Sequence, residues 1–338
     1  MKILPVTPES LKEGAEILKN GGLVAFPTET VYGLGADAFN AQALAKVFEV
    51  KGRPHFDPLI IHIATIESLE KVASLTLLNE KTRNKLFVLA ENLWPGPLSI
   101  ILPKNEKIPG IATAGLQTAA IRFPAHETAQ KLISFSTGAV AAPSANPFGS
   151  LSPTRAEHVC DGLGNKIDMI LDEGPTRIGL ESTVLDITGD VLKILRPGGT
   201  PKEAIERLIG PVADGSSIVD DSTAHASPGQ LKSHYAPRAS LNTLSREEII
   251  NKVIEPNTAF LFFDGATRDV WLKTQKPQEL FVLRFLSETG DSMEAASRLF
   301  ETLHELDKHQ VSRIYAQLAP NEGLGTAIND RLKRGEKK

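Results

Sequence analysis

The sequence predicts an α/β protein with two folded units, on three observations. Helix and strand patterns alternate over roughly the first 200 residues, which is typical of helices packed on a sheet. A second alternation begins near residue 245, after a stretch at 213–227 that is rich in Ser, Asp and Ala. The 338 residues exceed one average domain. We expect a mixed sheet in the first unit rather than a purely parallel one.

In the first unit, helices are predicted where apolar residues recur at helical spacing. Pro8–Asn20 carries such a stripe and ends before Gly21 and Gly22, which stop a helix. Further helices are predicted at 41–50, 79–93 and 127–134. Short apolar runs predict strands at 23–26, 58–63, 98–102, 119–122, 139–142, 184–187 and 191–195.

The second unit repeats this alternation on a smaller scale. Helices are predicted at 247–254, 292–309 and 324–334, and the second of these is strongly amphipathic. Strands are predicted at 259–263, 279–283 and 313–317. We therefore expect a first domain over 1–210, a linker over 211–244 and a second domain over 245–338.

Composition excludes several classes of protein. Hydrophobic residues make up 41% and charged residues 23%, which is ordinary for a soluble protein. The formal net charge of -4 gives no overall basic field for nucleic acid. The single cysteine, Cys160, allows no disulfide framework within the chain. Pro5 and early charged residues argue against a signal peptide, so we expect a cytoplasmic protein without membrane contact.

The most informative segments are Phe26–Asp37 and Lys51–Pro58. The first places Thr28, Glu29 and Thr30 after an apolar strand, where a glycine-containing turn is expected. The second is a compact basic loop that two prolines stiffen. Together they indicate a site for a small anionic ligand, although a solvated turn and a surface charge pair are the plain alternatives.

Polar residues recur at other strand ends. Arg122, the PSANP segment at 143–147, Glu181–Thr183 and the RPGG segment at 196–199 all follow or precede apolar runs. His62 lies inside an apolar strand and is a structural residue unless other site groups converge on it. The chain has no Walker loop, complete GxGxxG, HExxH or recognisable triad. Positioning and charge stabilisation at a phosphoryl or nucleotidyl centre are therefore expected.

These segments resemble the YrdC family in its two-domain form. The matching segments run in order over nearly the whole chain: 27–35, 51–54, 58–63, 94–99, 118–124, 143–146, 181–186, 196–199, 227–237 and 324–332. The resemblance implies a YrdC-like twisted open mixed sheet with flanking helices. It also implies a smaller C-terminal Rossmann-like α/β domain joined by a long linker. We expect the linker over 211–244 to cover the active site.

The resemblance further implies an activity, threonylcarbamoyl-AMP synthesis. L-threonine, bicarbonate or CO₂, and ATP give threonylcarbamoyl-adenylate and pyrophosphate, with no protein nucleophile. Mg²⁺ is expected with the ATP, without identified metal ligands. A separate transferase then acts on tRNA, so direct RNA binding by this chain is expected to be weak.

Site roles carried over from the resemblance divide into two sets. The threonine-binding set is Thr30, His62, Arg122, Ala142 through its backbone, and Ser182. The ATP-binding set is Lys51, Arg53, Asp57, Thr118, Ser144, Asn146, Ser152, Arg196 and Tyr235. Asp57 departs from the family pattern, where Asn is usual, and a carboxylate there would repel phosphates unless it meets a cation. Two alternatives are an RNA-binding module without nucleotidyl transfer and a carbamoyltransferase-type YrdC activity.

Overall fold

The structure is a computed structural model that describes residues 1–215, 235–275 and 281–336. It divides into two compact units. The first contains Met1–Phe148, Ser152–Arg177 and the chain from Glu181 onward, and the second contains the C-terminal part together with Gly149–Leu151 and Ile178–Leu180. The domain boundaries at 210 and 245 stay predictions. Residues 216–234 of the linker, which we expected to cover the active site, lie outside the described residues.

The described residues form fifteen strands. Those of the first unit are β1 (Lys2–Pro5), β2 (Val24–Phe26), β3 (Gly33–Asp37), β4 (Ile60–Ile63), β5 (Leu98–Pro103), β6 (Thr118–Arg122), β7 (Ala139–Ala141), β8 (Met169–Asp172), β9 (Thr183–Asp186), β10 (Lys193–Arg196) and β11 (Ala213–Asp214). Those of the second unit are β12 (Ser240–Leu244), β13 (Thr258–Asp264), β14 (Phe281–Ser287) and β15 (Arg313–Gln317). Both ends of the predicted linker thus include strand residues.

Eleven α-helices accompany these strands in the described residues. They are α1 (Pro8–Lys19), α2 (Ala41–Lys51), α3 (Leu69–Val72), α4 (Glu80–Leu93), α5 (Glu127–Phe135), α6 (Ala156–Leu163), α7 (Lys202–Ile209), α8 (Arg246–Ile250), α9 (Gly265–Thr274), α10 (Ser292–Lys308) and α11 (Leu324–Gly335). Short 3-10 turns lie at Ile66–Ser68, Leu75–Leu77, Gly110–Thr113 and Gly164–Lys166. None of the helices in these ranges has the length and apolar character needed to cross a bilayer.

The expectation of a turn at Gly33–Asp37 is wrong, because this segment is strand β3, paired with β2 and β7. A Cβ on Gly35 would lie 2.8 Å from the Phe26 ring. Gly35 therefore lets β3 pack beside a buried aromatic side chain. Because glycine has a low strand propensity, this strand is not predicted from the sequence.

The first unit contains one mixed sheet, as predicted. Its strand order is β1-β8-β2-β3-β7-β4-β6-β5-β9-β10-β11, with parallel and antiparallel pairs. The main core packs on one face, whereas α1 and α5 cover part of the opposite face through Leu11, Leu18 and Leu132. Further along that opposite face, a small cluster of Ile60, Ile101, Ala120, Val184 and Leu195 is surrounded by polar side chains.

The second unit has its own sheet of four strands, in the order β12-β15-β13-β14, and every pair is parallel. Its aromatic core contains Phe260, Phe262 and Trp271. A parallel sheet with crossover helices agrees with the Rossmann-like architecture that the resemblance implied.

Candidate functional site

A row of polar side chains crosses one face of the first unit's sheet. His62 on β4 pairs in register with Arg122 on β6, and Arg122 pairs with Ser99 on β5. Ser99 is in register with Val184 on β9, and a register shift in β10 brings Arg196 opposite Val184. Because residues in register share a face, chain segments more than 100 residues apart in sequence present their side chains together.

Some members of the two predicted sets lie at opposite ends of β4 and β6, whereas Arg196 of the ATP-binding set contacts Ser182 of the threonine-binding set. Arg122 and His62 lie at the carboxyl ends of β6 and β4. Thr118 begins β6, and the Arg53 guanidinium donates to the carbonyl of Pro58, just before β4. Arg122 is four residue steps beyond Thr118 along β6, which is about 13 Å. The residues of β6 predicted to bind threonine and ATP are therefore separated by that distance on one face of the sheet.

Arg122 is held by an acidic partner that the sequence analysis did not assign. Its Nη2 lies 2.7 Å from Oε1 of Glu29, and both side chains are buried. Neither carboxylate oxygen of Glu29 has a hydrogen bond of good geometry among the described residues. The Nε of Arg122 is 3.4 Å from the Gly96 carbonyl. The Nη1 of Arg122 has no partner within the described ranges, so it can bind a carboxylate.

His62 is buried and uncharged. Burial, together with the neighbouring charge of Arg122, lowers the pKa of His62 to about 3. Its Nδ1 lies 3.2 Å from the carbonyl oxygen of Ile60, and this assigns the ring hydrogen to Nδ1. The Nε2 atom is then a hydrogen-bond acceptor. Arg122 lies in register beside His62, and the role of His62 in threonine binding stays a prediction.

Thr30 offers a second acceptor beside this pair. The Thr28 hydroxyl donates to the Val31 carbonyl at 2.7 Å, and the two threonine hydroxyls are 2.8 Å apart. Thr30 therefore donates to Thr28, which leaves lone pairs of the Thr30 oxygen for a ligand. The backbone nitrogen of Ala142 donates to the Ile60 carbonyl, which ties β7 to the same region.

Asp57 is the counter-ion of Arg53. The carboxylate Oδ2 lies 2.9 Å from Nη2 of Arg53, and both side chains are buried. The Arg53 Nε also donates to the Asp57 carbonyl at 3.0 Å. The expected repulsion between Asp57 and phosphates is therefore offset by this arginine. Nη1 of Arg53 has no partner in the described chain and remains for an anion.

Lys51 fixes the segment that contains Ser144 and Asn146. Its ammonium donates to the Ser144 carbonyl at 2.6 Å and to the Asn146 carbonyl. Burial first, and the charge of Arg53 second, hold the pKa of Lys51 well below its usual range. Asp57 and Glu181 act in the opposite direction, so these charged groups lie close to one another.

The remaining predicted residues of the first unit are linked by hydrogen bonds. Arg196 donates through Nη2 to the Ser182 carbonyl at 2.8 Å, and the hydroxyls of Ser182 and Ser99 are 2.8 Å apart. Ser152 donates to Glu181. Gly198 is needed here, because a Cβ on it would lie 2.4 Å from the Glu181 carbonyl oxygen.

Tyr235 belongs to the second unit. It is buried, its ring centre is 5.6 Å from that of Phe300, and the Arg331 guanidinium lies 4.9 Å over its ring. Its backbone has a φ of 63°, in the left-handed region. Its role in ATP binding stays a prediction.

Three site groups were missed as ligand-shell residues: Glu29, Ser99 and Glu181. Each is a polar residue beside apolar residues, in a segment that carries the family resemblance. That position is the feature from which a site role could have been predicted. Their partners Arg122, Ser182 and Ser152 lie 29 to 93 positions away, at distances that no local spacing rule covers.

Two family models match nearly the whole chain. The Sua5/YciO/YrdC family model, described as telomere recombination, matches residues 16–198. The model of the threonylcarbamoyl-AMP synthase C-terminal domain matches residues 200–335. The chain is similar to the threonylcarbamoyl-AMP synthase of Pyrococcus abyssi, with 41% identity over 96% of this chain and 93% of the relative. The Bacillus subtilis enzyme of that name is 40% identical over 97% and 93%, respectively.

A solved structure extends the likeness to the fold. The crystal structure of Pyrococcus abyssi Sua5 complexed with L-threonine aligns with a TM-score of 0.83 and 36% identity, over 99% of this chain and 96% of that one. Both units are included in this alignment. The chain therefore belongs to the two-domain Sua5/YrdC family of threonylcarbamoyl-AMP synthases.

Proposed function

We propose that the chain synthesises threonylcarbamoyl-AMP from L-threonine, bicarbonate or CO₂, and ATP, with release of pyrophosphate. The observation that carries this proposal is the presence of two polar clusters, Arg122 with His62 on neighbouring strands and Arg53 with Lys51 in the basic loop before β4. Membership of the family supports it, as does the L-threonine complex of the related Pyrococcus protein.

The first group suits an amino acid. Nη1 of Arg122 binds the α-carboxylate of threonine, and Nε2 of His62 and the Thr30 oxygen accept hydrogen bonds from its ammonium and hydroxyl. Glu29 adds a buried carboxylate beside Arg122. A zwitterion matches this combination of one cation and several acceptors, because neither of its charges is left uncompensated.

The second group suits a triphosphate. Arg53 and Arg196 carry planar donors, and Lys51 lies beside Arg53. Phosphates add negative charge near Lys51 and raise its pKa, so that ATP binding favours the ammonium form. Asp57 then keeps the site from an excess of positive charge before the nucleotide arrives.

The chemistry requires placement rather than a protein nucleophile. Bound threonine first loses its ammonium proton to solvent water. The free amine then captures CO₂ and releases a second proton, which gives a carbamate. A carbamate oxygen attacks the α-phosphorus of ATP in line, and the bond to the bridging oxygen of pyrophosphate breaks with its electron pair. Arginine and lysine donors stabilise the charge that develops on the phosphoryl oxygens.

Mg²⁺ is part of the proposal through the nucleotide. The described ranges contain no group of three or more metal-ligating His, Cys, Asp or Glu side chains. Mg²⁺ is commonly held by substrate phosphates, waters and one or two carboxylates, and Glu181 is the carboxylate beside Lys51 that fits this role. When bound, the ion supplies charge neutralisation to the phosphates.

The product is a mixed anhydride of a carbamate with AMP, so a separate transferase is the expected consumer. We propose that this transferase modifies tRNA, with weak direct RNA contact by this chain because of its net charge of -4. The cytoplasm is the compartment that such a reaction implies.

The test is pyrophosphate release from ATP and bicarbonate, with and without L-threonine. Arg122→Ala should raise the KM for threonine, and Arg53→Ala should raise the KM for ATP, each by at least about tenfold. Arg207→Ala, on the exposed side of α7, is the matched control and should match the unsubstituted protein. Release that does not depend on threonine, or that neither substitution reduces, would contradict the proposal.

A further inference from the structure

The second unit contains a cavity of about 500 Å³ at one edge of its sheet. The lining includes Arg246, Asp264, Glu288 and Gln317, which follow or end β12, β13, β14 and β15. The cavity thus lies at the carboxyl ends of all four parallel strands. Its volume is within the range of small-molecule sites.

The topology opens a crevice at this edge. β13 and β15 are neighbours, and the chain leaves β13 into α9 but leaves β15 into α11. Helix α9 packs with α8, whereas α11 packs with α10. Right-handed crossovers that run in opposite directions put these two helix pairs on opposite faces of the sheet. Ligands of doubly wound sheets bind where the connections diverge in this way.

Arg246 is exposed at the cavity wall, and a polar network that includes two buried side chains holds it there. The Arg246 Nε donates to the Thr267 hydroxyl oxygen at 3.0 Å. That hydroxyl donates to Asp264 at 2.9 Å, and the Gln317 amide donates to the same carboxylate at 3.0 Å. Thr267 and Gln317 are buried. The guanidinium is therefore oriented by side chains that are themselves fixed.

Arg246 is the cation of the lining, and neither of the lining carboxylates, Asp264 or Glu288, forms an ion pair with it among the described residues. Glu288 is paired with Arg268 through two contacts of 2.9 Å. Asp264 caps α9 and accepts from Thr267 and Gln317. The two terminal nitrogens of Arg246 have no partner among the described residues. A fork of this kind matches the oxygens of phosphate or carboxylate.

The cavity is larger than a simple anion requires. Phe263, Ala266, Leu318 and Ala319 supply apolar surface, and Ser245 and Thr289 supply hydroxyls. We propose that this cavity is a second ligand site, in which Arg246 binds the phosphate of a nucleotide-sized phosphate monoester and the remaining lining contacts its uncharged part. The site is independent of the synthase reaction proposed for the first unit.

The test is methyl NMR of the full-length chain with labelled alanine and leucine, titrated with AMP. The methyls of Ala266, Leu318 and Ala319 should shift, and Arg246→Ala should weaken that response at least about tenfold. Arg298→Ala, an exposed arginine on α10 outside the cavity, should leave the response unchanged. The methyls of Ala142 and Ala145 report separately on nucleotide binding in the first unit. If they do not shift, the proposed function is in question, but the inference about the second unit is not affected.

Two further measurements compare ligands of different chemistry and check that the variants are folded. Adenosine and inorganic phosphate should each bind more weakly than AMP, because each lacks half of the recognised group. Arg246→Lys keeps the charge but not the fork, and should give an intermediate affinity. Unchanged methyl signals of Leu299 and Leu303 in the α10 core would show that the variants fold. Absence of shifts at the cavity, equal binding of AMP by Arg246→Ala, or equal affinity for phosphate and AMP would overturn the proposal.

Discussion

Asp57 and Arg53 form an ion pair of 2.9 Å in which both side chains are buried. An unpaired buried charge in that position would destabilise the fold, and each of the two residues compensates the charge of the other. The pair also sets how much positive charge the basic loop presents to a ligand. Asp57, which alone would repel phosphate, therefore holds in place Arg53, the residue that we propose binds phosphate.

Asp57→Asn is expected to lower the KM for ATP and, at the same time, to lower the free energy of unfolding. Removing the carboxylate charge leaves Arg53 less compensated, so the KM for ATP should fall by about three- to tenfold. The free energy of unfolding should fall by about 3–5 kcal/mol, because a buried pair loses one partner. Pyrophosphate release and urea unfolding measure the two effects. Asp161→Asn, at an exposed position on α6, is the control. An unchanged KM with unchanged stability would show that the pair has neither role.

Glu29→Gln should destabilise the first unit. Glu29 and Arg122 are both buried at 2.7 Å, and loss of the carboxylate charge leaves the guanidinium unpaired. The expected loss is about 3–5 kcal/mol. The measurement is urea unfolding, with the exposed Glu106→Gln as control. Addition of Arg122→Met to Glu29→Gln should cost less than the sum of the two single changes. Strict additivity would argue against a coupled pair.

His62 should make stability depend on pH. Its pKa is about 3 in the folded protein, below the ordinary 6.5. The unfolded chain therefore takes up the proton first, and the folded state loses stability as the pH falls from 6.5 towards 3. Between pH 7.5 and pH 5 this histidine alone should account for about 2 kcal/mol.

His62→Gln removes that part of the dependence. Unfolding free energies at the two pH values should differ less in this variant than in the unsubstituted protein. His309→Gln, at the exposed end of α10, is the matched control and should keep the original difference. An identical pH dependence in all three proteins would mean that His62 is protonated or exposed in the folded state.

Gly198→Ala should disrupt the site through the backbone. The added Cβ would lie 2.4 Å from the Glu181 carbonyl oxygen and 2.5 Å from the Thr183 nitrogen. The displacement would move Ser182 and its bonds to Arg196, so threonine-dependent pyrophosphate release should fall at least about tenfold. Gly189→Ala is the control, because its Cβ would meet nothing closer than 3.9 Å. Equal activity in both variants would contradict the role of Gly198.

Much of the fold follows from local patterns. The helix at Ser292–Lys308 and the strand at Arg313–Gln317 lie where apolar periodicity predicts them, since burial of a stripe or a short run is a local property. β3 could not be predicted in this way, because Gly33 and Gly35 have low strand propensity and the strand exists through its neighbours β2 and β7.

In the candidate site, too, some features can be predicted from the sequence and others cannot. Local patterns and the family resemblance are enough to predict the two-domain α/β class, the basic loop of Lys51 and Arg53, and the polar strand ends. The pairing of Asp57 with Arg53, the pairing of Glu29 with Arg122 and the uncharged state of His62 become visible in the folded chain. Ion pairing and desolvation depend on distances across the sheet, and strand register brings together residues that no sequence spacing connects.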